Sequence, residues 1–160
     1  MNDVHLITKE IEFDAGHRVP HHNGKCRFPH GHRYKVTAFV TGIVDNDHEA
    51  AGSQTGMVTD FSILKEVMVK EIHDVLDHKF IIWDQDEPMK QALDAFIFES
   101  GADGRNWGCA VEFPYVPTAE NMAQWCYDSI ELPLEENDVR LLYITVYETP
   151  TSSATYRREV

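Results

Sequence analysis

Cysteine is scarce in this chain of 160 residues: Cys26, Cys109 and Cys126 are the only three. They form no Cys-x-x-Cys pair, and a scattered odd trio excludes a disulfide framework, so a reducing compartment is expected. Positive charge is also short, with 14 Lys and Arg against 27 Asp and Glu and a formal charge of −13. That balance argues against a broad phosphate-backbone surface, and nucleic acid is not an expected partner. No apolar run approaches the length of a membrane span, and the first residues lack the basic and apolar regions of a signal peptide. These absences lead to the expectation of a cytoplasmic protein with no membrane partner. The length suits one domain, 1–160, with a real core.

Histidine is what the chain has instead. His17 closes the phrase Phe13-Asp14-Ala15-Gly16-His17, and His30 and His32 close Cys26-Arg27-Phe28-Pro29-His30-Gly31-His32. If the chain is extended after Pro29, the period of two puts His30 and His32 on one strand face, where two imidazoles reach one metal ion. His17 is the leading third ligand; His21 and His22 compete for the place but lie in a loop that does not fix their direction. Three neutral nitrogens around Zn2+ leave a coordination position open, the pattern of catalytic rather than structural zinc. Taken singly, each histidine is more commonly solvated or bonded to backbone. Arg18, Lys25, Arg27, Arg33 and Lys35 surround the motifs, so an anionic small molecule remains compatible with the acidic total.

Periodicity supplies the elements around these residues. Ile7, Ile11, Phe13 and Ala15 alternate with charged positions up to His17, and a second strand runs from about His32 through Tyr34, Val36, Ala38 and Val40. After a polar loop at 46–56, Asp60 is placed to cap a helix whose face carries Phe61, Leu64, Val67, Met68, Ile72, Val75 and Leu76, with Glu66 and Lys70 paired outside. A second helix starts at the cap Thr118, with Met122, Trp125, Cys126, Ser129 and Ile130 at core spacing and Pro133 closing it. Leu142, Ile144 and Val146 then form a strand row ending in Glu148, and Ala154 to Arg158 pairs back after a turn. The expected architecture is α+β, a four-stranded antiparallel sheet with two helices on one face. Between Asp84 and Val116 the pattern is undecided: Leu93–Phe98 and Cys109–Phe113 read as a hairpin around Gly101–Gly104, or the first as a helix.

Other residues carry chemistry beside a bland alternative. Cys26 is a buried inert thiol, a fourth ligand closing a structural site, or a reactive thiolate acting as base; Lys25, Arg27 and a nearby metal favour the last over the first. Asp77-His78 is either a polar helix end or an acid/base histidine oriented by a carboxylate. Glu148 pairs with Arg157 or Arg158, or accepts two parallel hydrogen bonds from the amidine-like edge of a pterin or guanine.

Together with Tyr34-Lys35-Val36, Gly56-Met57-Val58-Thr59-Asp60-Phe61, Leu76-Asp77-His78, Pro117-Thr118-Ala119-Glu120-Asn121 and Tyr147-Glu148-Thr149, these phrases resemble, in order, the 6-pyruvoyl-tetrahydropterin synthase and 6-carboxy-tetrahydropterin synthase family. The resemblance implies a tunnelling fold (T-fold), trimers stacked as a homohexamer, and active sites between subunits. It implies zinc on His17, His30 and His32, Cys26 as base, Asp77 and His78 as acid/base pair, Glu148 as pterin anchor and Thr118 lining the pterin pocket. The implied substrate is 7,8-dihydroneopterin triphosphate. Three residues separate Cys26 from His30, similar to the carboxy-forming branch that serves queuosine and other deazapurines. The expected activity is therefore the zinc-dependent lyase 6-carboxytetrahydropterin synthase. The alternatives are the pyruvoyl synthase and a non-catalytic zinc-stabilised pterin-binding protein. Residues 84–116 exceed the link of compact family members and are expected to be an insertion.

Overall fold

A computed structural model describes residues 4–44, 46, 54–99 and 108–159. The strands β1 (Val4–His17) and β2 (His30–Ile43) form a long antiparallel pair whose register sets His17 opposite His30 and Ala15 opposite His32. Strand alternation puts Ile11, Phe13 and Ala15 of β1, and Tyr34, Val36, Ala38 and Val40 of β2, on one buried face. His17, His30 and His32 occupy the next positions of the same two rows, so the histidines lie where the core face reaches the end of the sheet.

Two helical stretches cover that face. The first is α1 (Phe61–Met68), continued by a π-helical turn (Val69–His73) and α2 (Asp74–Leu76). Asp60 caps it as expected, accepting from the Ser62 N–H at 2.7 Å. The buried residues Leu64, Met68, Ile72 and Leu76 recur every fourth position. At about 3.6 residues per turn that row drifts around a helix, and the wider π turn brings it back to the sheet. Two expectations fail here. Lys70 pairs with Glu71, at 2.7 Å, rather than with Glu66, and Phe61 stands 52% exposed because it precedes the first turn that reaches the core.

The second stretch is α4 (Ala119–Glu135), capped by Thr118, whose hydroxyl accepts from the Asn121 N–H at 3.4 Å. It buries Met122, Ala123, Cys126, Tyr127, Ile130 and Leu134, while the Ser129 hydroxyl turns back to the Trp125 carbonyl. Pro133 lies within the helix rather than closing it: the helix continues through Glu135, and Glu136 forms the C-cap.

Among the described residues the sheet has six strands rather than four, in the order β4 (Ala110–Phe113), β3 (Lys79–Trp83), β1, β2, β5 (Arg140–Thr149) and β6 (Ser152–Tyr156). β5 and β6 extend it antiparallel beyond β2. A bulge in the β2–β5 register makes Leu141 the buried residue where Leu142 was expected, while Ile144 and Val146 keep their places. On the other side β3 pairs parallel with the end of β1, and β4 pairs parallel with β3. The close approach of β3 needs Gly16, because a Cβ there would stand 2.8 Å from the Phe80 ring. α3 (Glu87–Glu99) joins β3 to β4, which makes the first half of the undecided region helical and excludes the hairpin. The Gly101–Gly104 turn lies outside the described residues. Among the described residues no helix is long and apolar enough to cross a membrane.

Candidate active site

One ring nitrogen from each of His17, His30 and His32 lies within 4.8 Å of the other two. Backbone carbonyls set the ring directions. His17 Nδ1 lies 2.7 Å from the Pro117 carbonyl oxygen and His30 Nδ1 lies 2.8 Å from that of Phe28. A carbonyl only accepts, so each Nδ1 carries the proton, and in the neutral ring Nε2 keeps its lone pair. His17 Nε2 and His32 Nε2 are buried with no hydrogen-bond partner. Burial lowers the pKa of both rings and outweighs the opposing pull of the Pro117 bond on His17 and of the Glu148 carboxylate on His32. Neutral rings presenting unpartnered nitrogens to a common point are the donor set that zinc takes, so the residues present fit the metal. His21 and His22 are exposed, and His22 Nδ1 accepts from the Gly24 N–H instead.

Glu148 completes the group from β5. Its Oε1 is 3.5 Å from His17 Nε2 and 3.9 Å from His32 Nε2. Pairing across the terminal hairpin is not what Arg158 does: it bonds Glu131 and Asp128 of α4. Glu148 also lines a cavity of about 560 Å³ with His32, Lys35, Tyr147 and Thr149. Cys26 sits half-buried in a short 3-10 turn (Lys25–Arg27), tied to the loop by its carbonyl, which accepts from the Val19 N–H at 2.8 Å. Burial, then Glu148, then Cys26 hold the Tyr34 hydroxyl firmly in its neutral form.

Asp77 and His78 form a carboxylate–imidazole pair, with His78 Nδ1 2.7 Å from Asp77 Oδ2. The turn that makes it is unusual, since His78 has a φ of 58°, a left-handed conformation that costs a β-carbon residue energy. Asp14 anchors both residues through its backbone: its N–H donates to Asp77 Oδ1 at 3.0 Å and its carbonyl accepts from the His78 N–H at 2.8 Å. The Asp14 N–H, more than His78, holds the Asp77 carboxyl below its ordinary range. His78 lines a cavity of about 820 Å³ together with His30 and His32 of the triad, and with Leu93 and Cys109 contributed by the 84–116 segment. The charged groups that act on His17 and His32 are Glu148 and the other histidines. Thr118 stands next to Pro117, with its hydroxyl engaged as the α4 cap.

Sequence reasoning missed the carbonyls of Phe28 and Pro117, since any residue supplies a carbonyl. It also missed Tyr34, which the period of two places beside His32 and whose buried hydroxyl has no partner.

A histidine triad at the end of a curled, mainly antiparallel sheet, with two helices laid over the same face, defines a T-fold protein of the pterin-processing class. The chain belongs to the 6-pyruvoyl tetrahydropterin synthase family, whose model matches residues 6–159. It is 31% identical over 151 residues to the 6-carboxy-5,6,7,8-tetrahydropterin synthase of Haemophilus influenzae, covering 94% of this chain and 97% of the relative. The protein of the same name from Synechocystis is 32% identical over 151 residues, covering 94% and 92%. Among solved structures, an uncharacterized protein from Wolinella succinogenes superposes with a TM-score of 0.78 at 26% identity, covering 98% of this chain and 99% of that one. The Caenorhabditis elegans 6-pyruvoyl tetrahydropterin synthase shares the fold, with a TM-score of 0.65 at 24% identity over 99% and 98% of the two chains.

Proposed function

We propose that this chain is a zinc-dependent 6-carboxy-5,6,7,8-tetrahydropterin synthase that converts 7,8-dihydroneopterin triphosphate and water to 6-carboxytetrahydropterin, acetaldehyde and triphosphate. The observation that carries the proposal is the set of unpartnered imidazole nitrogens beside Glu148, in a chain whose near-full-length relatives bear that name. The three-residue gap between Cys26 and His30 supports the carboxy product over the pyruvoyl one. The product would feed deazapurine synthesis such as that of queuosine, in the cytoplasm, from one domain of 160 residues with an insertion at 84–116.

In this proposal His17, His30 and His32 hold zinc. The metal, when bound, supplies Lewis acidity that favours ionisation of the substrate's side-chain hydroxyls. Glu148 accepts two parallel hydrogen bonds from the amino group and ring N–H of the pterin, which fixes the ring and with it the direction of the side chain. Thr118, at the start of α4, lines the pterin pocket. Cys26 takes a proton from the side chain as base. Asp77 holds His78 Nδ1, leaving His78 Nε2 as the atom that moves a proton. The pair opens onto a cavity that His30 and His32 also line, and the family resemblance supports a homohexamer, built as a dimer of trimers, with active sites between subunits.

The test is product identity. Zinc-loaded protein incubated with 7,8-dihydroneopterin triphosphate is expected to release acetaldehyde and 6-carboxytetrahydropterin, followed by mass spectrometry. Formation of 6-pyruvoyl-tetrahydropterin without acetaldehyde would overturn the assignment in favour of the other branch.

A further inference from the structure

The last residue of a strand is the one most prone to fray, and in β1 that residue is the metal-ligand candidate His17. Its neighbour Arg18 leaves the strand and reaches the carboxylate of Asp86 with two hydrogen bonds, one from Nε at 2.6 Å and a shorter one from Nη2. Asp86 is only 3% exposed and belongs to the 84–116 segment. Its own position is fixed on several sides. Its N–H donates to the Trp83 carbonyl at the end of β3, its carbonyl accepts from the N–H groups of Met89 and Lys90, and its Oδ1 accepts from Met89 at 3.4 Å. The carboxylate is thus held by the start of α3 and by β3, the strand that pairs with His17 through Ile81.

A buried ion pair is a poor source of net stability, because desolvating two charges offsets most of their attraction. Its stronger effect is to select one geometry, and a guanidinium fork on a carboxylate is the most directional pair available. We propose that the Arg18–Asp86 pair is a positioning device that holds the end of β1 so that His17 Nε2 faces His30 and His32. Anchoring it gives the 84–116 segment a task at the metal centre. This inference rests on the reading of the three histidines as metal ligands. Arg18 and Asp86 are positioning residues: they act on the centre through the backbone of His17 and the β1–β3 junction.

The experiment compares full-length wild type with Arg18→Lys, which keeps the charge but loses the fork, and with the double variant Arg18→Met/Asp86→Leu, which leaves no buried charge unpaired. Zinc affinity is measured by chelator competition, coordination geometry by the visible spectrum of the cobalt-substituted protein, and metal-free stability by thermal melting. Both variants are expected to bind zinc about tenfold more weakly, with an altered cobalt spectrum, the lower end of the loss typical for residues that orient a metal ligand. The double variant is expected to melt, metal-free, close to wild type. A merely structural pair would lower the melting temperature and leave zinc affinity unchanged, so wild-type affinity and spectrum in either folded variant would overturn the inference. Failure of wild type itself to bind zinc would overturn the metal reading beneath it, which separates the two.

Discussion

At the scale of single residues, the distinction that matters is between groups that hold a metal and groups that move a proton. Cys26 tests it. Held in its own turn, half-buried, it lies outside the histidine cluster among the described residues. Cys26→Ala is expected to retain zinc by elemental analysis while turnover falls about a hundredfold or more, the range of a lost proton-transfer group. Loss of zinc instead would make Cys26 a ligand. Asp77 carries a pH signature. Its carboxyl is held below its ordinary value of 3.8, first by the Asp14 N–H and then by His78, so its contribution to stability is fully present above about 3.8 and is lost as pH falls through the lower folded value. Metal-free wild type and Asp77→Asn, compared by urea midpoints, are expected to differ near pH 6 and to converge near pH 2; a constant difference would contradict the assignment. The histidines were legible because ligand type and a period of two are written in the chain. The carbonyl that turns His17 is not written there, since it depends on where β1 meets the start of α4.

At the scale of elements, β1, β2, β5 and the two covering helices follow from apolar spacing, and Asp60 and Thr118 from cap chemistry. Spacing also reads Cys109–Phe113 as a strand, where β4 lies, but it leaves α3 undecided and does not reveal β3. Phe80-Ile81-Ile82-Trp83 is a short continuous apolar run, the mark of a parallel strand covered on both faces, and such a run cannot be told from a helix segment by periodicity. The π turn is hidden for a related reason: a row of buried residues every four positions is compatible with an α-helix until the sheet demands that it stay in line. Thr118 links element to site. Thr118→Ala removes a helix cap one residue from the carbonyl that orients His17, and is expected to cost about 1 kcal/mol in chemical denaturation. Thr118→Ser is expected to restore it. An undiminished Thr118→Ala protein would show that the 3.4 Å cap contributes nothing.

At the scale of the whole molecule, one sheet face does two things: its middle builds the core against α1, α2 and α4, and its end, where the helices stop, presents the histidines and Glu148. The cavity that His78 shares with His30 and His32 adjoins the one that Glu148 lines, and in the proposed homohexamer a complete site requires more than one copy of the chain. Light scattering on the purified protein is expected to give six chains per particle, and full turnover by a stable monomer would contradict that requirement. Nothing in apolar periodicity announces an assembly; here it follows from the family resemblance. The most direct test of the central claim, that the three histidines hold the metal with which this chain processes a pterin, is a zinc titration of chelator-stripped protein with 7,8-dihydroneopterin triphosphate present. Acetaldehyde release is predicted to be absent from the stripped protein, to rise in proportion to added zinc and to level off near one zinc per chain, with His17→Ala flat throughout. Full acetaldehyde release by the stripped protein, or an unchanged titration with His17→Ala, would contradict it.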